Sequence, residues 1–246
     1  MGPCNQDLLV IYEDSEIVAI NKPSGIHSAI VKGSEQPSVA QMLAARDEKM
    51  SAASLKPEDA GLVNRLDYET SGVLLAAKSK TIWLKFRENL EAKDARKTYL
   101  TILEGQAPQN QEVRNYIGSR HRHSKKVSIF QDLPAGGRAL LAASSFELLE
   151  YWAEKNLSLV KVNLGSGRRH QIRAHAASIG CALLGDSLYG STRQTNELAG
   201  DAPEFLLPGF LLHAESVEFR HPGNSKTLKI TAPIPSIFEL FSRTSA

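Results

Sequence analysis

Short apolar runs separated by polar turns recur along most of the chain, and this pattern predicts strands more often than helices. Residues 8–20 are typical of a hairpin, because two apolar runs flank an acidic turn. Residues 146–164 have the same organisation, with the turn at 152–156. The predicted strands are residues 8–12, 17–20, 73–77, 99–103, 146–151, 157–164, 211–220 and 227–231. Because strands dominate and short turns join several of them, we expect an α+β fold with a largely antiparallel sheet.

Three segments have the apolar spacing of helices. Residues 38–46 form the first, and Ser38 can cap it. Residues 79–93 carry large apolar side chains at helical spacing, which predicts one buried face. Residues 168–179 form the third predicted helix, and Gly180 is placed to end it.

Composition limits the class of protein. The chain has 246 residues, of which 42% are hydrophobic and 23% charged, as in an ordinary globular protein with a sizeable core. No linker or repeat divides it, so we expect a single domain over residues 1–246. Cys4 and Cys181 form neither a disulfide framework nor a zinc spacing. No apolar run approaches membrane-spanning length and no signal peptide is evident, which predicts a cytoplasmic protein.

The distribution of charge is more informative than the net charge, which is only +2. Residues 114–126 contain five Lys or Arg, two His and no acid. This predicts a flexible basic loop that closes on an RNA stem through phosphate contacts. The expected contacts are Arg120, Arg122, Lys125 and Lys126. A solvated surface loop is the alternative.

Asp67 lies on a polar loop directly before the apolar run 73–77. An acid on a loop that enters a core strand is held firmly by the scaffold yet can be reached by a ligand. A turn aspartate that bonds its own backbone is the plainer interpretation. A second motif favours the functional interpretation, and it occupies residues 165–175: Gly-Ser-Gly-Arg-Arg-His-Gln-Ile-Arg-Ala-His.

Together, these two motifs resemble those of the RluA branch of the RNA pseudouridine synthases. The family pattern Arg-Leu-Asp-x-x-Thr-Ser-Gly matches residues 65–72, and Gly-Arg-x-His-Gln-Ile-Arg-x-His matches residues 167–175. Shorter matches follow the family's order: Asn21-Lys22-Pro23-Ser24-Gly25, Lys97-Thr98-Tyr99, Leu211-Leu212-His213-Ala214, His221-Pro222 and Ala232-Pro233. The resemblance covers nearly the whole chain. One departure is Asn64, where the family usually has His, and it affects the positioning of the loop more than the chemistry.

The fold implied by the resemblance is the pseudouridine synthase fold, a bisected mixed sheet with helices packed outside and a central RNA-binding cleft. Many members carry a small S4-like RNA-binding domain ahead of the Asn-Lys-Pro turn. Only twenty residues precede that turn here, so we expect the chain to lack this N-terminal domain.

The activity implied by the resemblance is isomerisation of uridine in RNA. The reaction breaks the N1–C1′ bond, rotates the base and joins C5 to C1′, and it needs no metal or cofactor. Asp67 is then the carboxylate that acts at C1′, and Arg173 is the cation that keeps it ionised. Tyr99 is the aromatic side chain that retains the freed base by stacking. A solvated basic helix face for Arg173 and a core packing role for Tyr99 are the alternatives.

Further RNA contacts are expected near these residues. Arg65 can contact phosphate or fill the gap left by a flipped uridine, with a surface salt bridge as the alternative. Arg169 is spaced i,i+4 from Arg173, which predicts that the two share a helix face. The remaining RNA-binding candidates are Arg168, Arg169 and His170. Leu212 either lines the pocket or packs in the core.

Two other functions are compatible with parts of the sequence. A glycoside- or nucleoside-type hydrolase built on Asp67 would need a second catalytic carboxylate, and no recognisable motif supplies one. A non-catalytic RNA-binding protein on the same fold is the other alternative. A metal site is not expected, since His170 and His175 are five residues apart without an acidic partner. The expected partner is structured RNA, ribosomal or transfer, and the expected state is a monomer.

Overall fold

The computed structural model describes residues 8–92, 95–121, 124–134, 138–195 and 209–240. Its strands are β1 (Val10–Glu13), β2 (Ile17–Lys22), β3 (Ser71–Ala77), β4 (Arg96–Glu104), β5 (Asn110–Gly118), β6 (Ser128–Phe130), β7 (Leu140–Trp152), β8 (Leu157–Leu164), β9 (Leu212–Arg220) and β10 (Thr227–Thr231). Its helices are α1 (Val39–Arg46), α2 (Lys80–Glu91), α3 (Gln171–Ser178) and α4 (Ile237–Leu240). Short 3₁₀ turns occur at Glu48–Ala52, Pro57–Asp59 and Ser187–Tyr189.

The chain divides into two compact units. The first consists of residues 1–96 and 214–234, and the second of residues 97–213 and 235–246. Among the helices that the structure describes, none is long and apolar enough to cross a membrane.

In the first unit, the strand order is β1-β2-β3-β9, and β10 pairs with β9. Strands β2 and β3 are antiparallel and in register from the Ile17–Ala77 pair to the Lys22–Gly72 pair. This register places the end of the Asn-Lys-Pro strand beside the start of the strand that follows the Asp67 loop. Helix α2 buries Trp83, Phe86 and Leu90 against the sheet residues of one apolar cluster.

In the second unit, the strand order is β4-β8-β7-β5-β6, with antiparallel pairing throughout. Helix α3 packs on this sheet through Ile172 and Ala176, which lie in a buried cluster with Phe146 and Val162. A second buried cluster includes Leu211 and the apolar side chains at the start of α4. The strands therefore form a firm base for the residues of α3.

Most of the predicted elements are confirmed. Both predicted hairpins form, and Ser38 caps α1 through a capping box with Gln41. Gly180 follows the end of α3 with φ +81°, a left-handed conformation that favours glycine. The predicted α+β fold class with a largely antiparallel arrangement is confirmed.

Two predictions about the second unit are wrong. The third helix begins at Gln171 instead of residue 168, because His170 adopts a left-handed backbone with φ +52°. The basic segment 114–126 is not loop throughout, since its first five residues belong to β5 and pair with β7.

Candidate active site

The Asp67 loop belongs to the first unit and is closed by its own backbone. The amide of Thr70 donates to the carbonyl of Asp67 at 3.1 Å. Gly72 has φ +106°, and a Cβ at this position would collide with the backbone of Ala214. The glycine of the Thr-Ser-Gly motif is therefore required by both backbone conformation and close packing. The Asp67 side chain, half-buried, is held on a short and well-defined turn.

A buried lysine from the Asn-Lys-Pro motif fixes this loop from the other side. Lys22 is fully buried, and its Nζ donates to the carbonyls of Pro23 at 2.9 Å, Ile26 at 2.8 Å and Tyr68 at 3.2 Å. An ammonium group has three N–H donors, so these carbonyls match its full donor capacity. The lysine thereby joins the 21–26 turn to the residue that follows Asp67.

The charge state of Lys22 is balanced between burial and neighbouring acids. Burial lowers the pKa of Lys22 to about 7, and the carboxylates of Glu69 and Asp67 act in the opposite direction. When Lys22 is protonated, its charge acts on the carboxylates of Asp67 and Glu69.

Further backbone contacts hold the loop residues on both sides of Asp67. The hydroxyl of Ser28 donates to the Leu66 carbonyl at 2.8 Å and accepts from the Leu66 amide at 2.9 Å. The amide of Gly25 donates to the Tyr68 carbonyl at 2.9 Å. These bonds restrict the backbone before and after the acid, so the carboxylate is positioned by the scaffold.

Asn64 ties the start of the loop to β3. Its Oδ1 accepts from the Leu75 amide at 2.8 Å, and its Nδ2 lies 3.4 Å from the Val73 carbonyl. The departure from the family's usual His thus lies at a position that supports the loop through backbone contacts.

In the second unit, Arg173 is held by a buried fork. Its Nε and Nη2 donate to the two carboxylate oxygens of Asp186 at 2.6 and 2.9 Å. The guanidinium also lies over the rings of Phe210, at 4.2 Å, and Tyr189, at 5.0 Å. Bidentate bonding and ring contacts fix both the position and the plane of the group.

Arg169 does not share a helix face with Arg173, contrary to the prediction. It precedes the helix and is exposed, whereas Arg173 is 6% exposed. The Nη2 atom of Arg169 donates to the carbonyls of Ser124 and Lys125, both at 2.6 Å. Arg169 therefore anchors the end of the basic segment to the turn before α3.

The end of the second motif contributes to a buried polar chain. His175 Nδ1 lies 2.8 Å from Ser144 Oγ, and His175 Nε2 lies 2.9 Å from Asn115 Oδ1. Burial lowers the pKa of His175 to about 4, so the ring is neutral near pH 7. Because the Asn115 oxygen can only accept, Nε2 carries the hydrogen and Nδ1 accepts from the serine.

Gln171 connects this polar chain to the turn that begins the motif. Its Nε2 donates to Ser144 Oγ at 3.0 Å, and its Oε1 accepts from the Arg168 amide at 3.0 Å and the Ser166 hydroxyl at 2.9 Å. The glutamine and His175 thus have structural roles that hold the turn 166–168 on the sheet.

Tyr189 links His170 to the basic segment. Its hydroxyl accepts from the Val127 amide at 2.9 Å and lies 3.1 Å from His170 Nδ1. The Nζ of Lys126 lies 4.9 Å from the centre of the same ring. The side chains of Arg120, Lys125, Lys126 and Arg168 are exposed, and Arg122 lies outside the described residues.

Tyr99 and Leu212 both belong to the second unit. Tyr99, on β4 opposite Val162 of β8, is half-buried and packs against an apolar cluster that includes Leu212. Leu212 is itself buried at the start of β9. Of the remaining candidates, Arg65 is exposed and His170 is half-buried. Among the residues that the structure describes, no group of three or more His, Cys, Asp or Glu could hold a metal ion.

Comparison with known proteins gives a family for this arrangement. The family model described as RNA pseudouridylate synthase matches residues 16–178, about two thirds of the chain. The chain belongs to this family. It is therefore an RNA-acting isomerase of the RluA type, as the motifs predicted.

Individual relatives agree with the family. Ribosomal large subunit pseudouridine synthase D of Xanthomonas campestris is 30% identical over 95% of this chain and 68% of its own length. The uncharacterized RNA pseudouridine synthase YhcT of Bacillus subtilis is 30% identical over 97% of this chain and 72% of its own length.

Solved structures confirm the pseudouridine synthase fold. Human RNA Pseudouridylate Synthase Domain Containing 4 has a TM-score of 0.69 at 20% identity, covering 95% of this chain and 91% of that chain. Human RNA Pseudouridylate Synthase Domain Containing 1 has a TM-score of 0.66 at 20% identity, covering 98% of this chain and 88% of that chain.

Several residues that organise the site of this RluA-type synthase were missed from sequence. Lys22 lies inside the Asn-Lys-Pro motif, which was interpreted only as a turn. Lysine is rarely found at fully buried positions, so nothing in the sequence directly indicated that this one is buried. Asp186 and Tyr189 lay downstream of the Arg173 motif, and no local pattern linked them to it. Ser144 and Asn115 are single polar residues on strands, and their role depends on tertiary contacts.

Proposed function

We propose that the chain converts specific uridines of structured ribosomal or transfer RNA to pseudouridine, with Asp67 as the catalytic carboxylate. The observation that carries the proposal is the fixed Asp67 loop, which is anchored through Leu66, Tyr68 and the buried Lys22. A carboxylate held at a defined position can act at an anomeric carbon without first losing conformational freedom.

In the proposed reaction, Asp67 acts at C1′ as the N1–C1′ bond breaks. The uracil rotates within the site, a bond forms between C5 and C1′, the hydrogen at C5 is lost and N1 gains a hydrogen. The product therefore has the same composition as the substrate. This balance separates the reaction from hydrolysis, which would consume water and release uracil.

Arg173 and Tyr99 complete the proposed catalytic set. Arg173 is fixed by Asp186 and two rings, so its guanidinium has a defined orientation, and we assign to it the cationic role that the family motif implies. Tyr99 is half-buried with its ring against an apolar cluster, which suits a face on which a freed base stacks. Leu212 is proposed to line the same pocket.

RNA contacts outside the reaction centre are proposed for the exposed cations. Arg65 adjoins the Asp67 loop, and Arg168 adjoins α3. Arg169 and His170 are proposed to contact RNA beside Arg168, although Arg169 also bonds the carbonyls of Ser124 and Lys125 and His170 also bonds Tyr189. The remaining contacts are assigned to the basic segment: Arg120, Arg122, Lys125 and Lys126.

Ribosomal RNA is the favoured substrate class, because the Xanthomonas relative is named for the large ribosomal subunit. Transfer RNA, a cytoplasmic location and a monomeric state remain predictions. Mapping of pseudouridine in total RNA from cells with and without the intact gene would identify the modified position.

The decisive experiment uses the purified protein, the mapped RNA and Asp67→Asn. We expect the variant to form no pseudouridine while its RNA affinity stays within about tenfold, because phosphate contacts dominate affinity. Glu69→Gln removes a neighbouring charge of the same loop and should retain turnover. Appreciable isomerisation by Asp67→Asn would refute the assignment. Release of uracil would indicate a hydrolase, and RNA binding without turnover by the wild type would indicate a non-catalytic RNA-binding protein.

A further inference from the structure

A pair of aromatic rings lies directly beside the catalytic loop. The rings of Tyr68 and His27 have their centres 4.8 Å apart and are tilted by 51°. Both residues are half-buried. Tyr68 is the residue after Asp67, at one of the two positions that the Arg-Leu-Asp-x-x-Thr-Ser-Gly pattern leaves unspecified.

The backbone under both rings is fixed before any ligand arrives. The Tyr68 carbonyl accepts from Lys22 Nζ and from the Gly25 amide. The His27 carbonyl accepts from the Val39 amide at 2.9 Å, and His27 forms a parallel bridge with Ser38. A ligand that stacks on these rings would therefore lose little affinity to the ordering of the protein.

The local charge indicates the chemistry of the ligand. Tyr68 lies between two acids in sequence, Asp67 and Glu69. Two carboxylates disfavour a phosphate at this point, whereas a neutral planar base is not repelled. Aromatic side chains are the usual surfaces on which unpaired RNA bases stack.

We propose that Tyr68 and His27 form a stacking platform for an unpaired RNA base that adjoins the target uridine. This inference rests on the proposed function and extends it to substrate selection. A base stacked on the platform would hold the strand beside Asp67, so that RNA with an unpaired neighbour of the target would be preferred over a continuous duplex.

The experiment combines protein variants with abasic RNA. The probe is an oligonucleotide that carries the mapped uridine, and an abasic residue replaces each flanking nucleotide in turn. Tyr68→Ala should weaken binding of the intact probe by about 5- to 150-fold, as expected for the loss of one base–aromatic stack. Tyr68→Phe should bind like the wild type, and Tyr68→Leu, which keeps apolar packing, should show most of the loss. Tyr151→Ala, at a tyrosine whose hydroxyl bonds Asn156 in the β7–β8 hairpin, is the control and should bind normally.

Non-additivity identifies the stacked base. At one flanking position, the abasic probe should bind the wild type as weakly as Tyr68→Ala binds the intact probe, and the two changes together should add little further loss. Additive losses at every position, or wild-type affinity of both Tyr68→Ala and Tyr68→Leu, would overturn the platform.

The outcomes separate this inference from the proposed function. Normal affinity of the Tyr68 variants in a protein whose wild type still forms pseudouridine rejects only the platform. Failure of the purified wild type to form pseudouridine at the uridine mapped in cells rejects the proposed function, while the binding cycle on the same probe still tests the platform. Should Tyr68→Ala unfold, Tyr68→Leu carries the same comparison.

Discussion

The protonation of the buried Lys22 should affect the free energy of unfolding. The variant Lys22→Met measures this effect. Methionine keeps an unbranched side chain of similar length but removes the charge and the three N–H donors. Lys22 is fully buried, and its pKa is lowered by burial from 10.5 to about 7. This lowering of the pKa corresponds to roughly 5 kcal/mol against the charged form. The three bonds from the charged donor, at about 1.5–3 kcal/mol each, act in the opposite direction, and Lys22→Met removes them as well.

The sign of the pH effect follows from the direction of the shift. Between pH 7 and 10.5 the unfolded chain holds the proton on Lys22 while the folded chain has released it. The free energy of unfolding of the wild type should therefore rise with pH in this window. From pH 6 to pH 9, the free energy of unfolding of the wild type should rise relative to that of Lys22→Met by roughly 3 kcal/mol, because the pKa of Lys22 is lowered to about 7 in the folded chain.

Urea denaturation of both proteins at several pH values between 6 and 9 measures this difference. Subtraction of the variant's curve removes the pH dependence that the rest of the chain contributes equally. Lys85→Met, at an exposed lysine in the middle of α2, is the control and should track the wild type at every pH. If the free energies of unfolding of the wild type and Lys22→Met differ by the same amount at every pH, the reasoning is refuted. Such a result would mean that the three carbonyls and the nearby acids keep the lysine charged in the folded chain throughout this range.

Two further predictions concern the second unit. Asp186→Asn breaks a buried ion pair and should lower the free energy of unfolding by about 3–5 kcal/mol. In urea-free buffer, at a temperature where the variant is folded, its turnover should fall by a larger factor than its RNA affinity. Unchanged turnover would show that Asp186 only stabilises the fold. Replacement of Arg120, Arg122, Lys125 and Lys126 by Ala should flatten the dependence of log affinity on log salt by about 0.7–0.9 per lost phosphate contact. Titration with the mapped RNA at several salt concentrations measures this slope. An unchanged slope would place the RNA along Arg168, Arg169 and His170.

The strands were predictable from sequence because their apolar runs are short, β-rich and bounded by polar turns. Segment 157–164 illustrates this, since the alternation of buried and more exposed residues from Val160 to Leu164 follows the alternation of apolar and polar side chains in the sequence. Strand β5 was missed because its first residues are polar or charged, and the strand is held by pairing with β7 on one side and β6 on the other. Pairing partners far apart in sequence are not visible to a local pattern.

The candidate site was predictable to the extent that its motifs are contiguous. Asp67 and Arg173 were predicted from such motifs and stay predictions, whereas the family that the motifs indicated is confirmed. The start of α3 was predicted too early because residues 168–170 continue the basic character of the motif without a helix-breaking residue, whereas the left-handed backbone of His170 places the first residue of the helix at Gln171. The hydrogen bond between Arg173 and Asp186 joins residues thirteen positions apart, and the hydrogen bond from Lys22 to the Tyr68 carbonyl joins residues 46 positions apart. Neither contact has a sequence signature of its own.

The buried polar chain under α3 has a direction, and this has a consequence for how the family can vary. Gln171 donates to Ser144, Ser144 donates to His175, and His175 donates to Asn115. Each member accepts or donates according to its neighbour, so replacement of one residue leaves a buried donor or acceptor unmatched. An exchange of the whole set for apolar residues avoids that penalty. We therefore expect these four positions to be inherited as a block in related chains, changing together rather than one at a time.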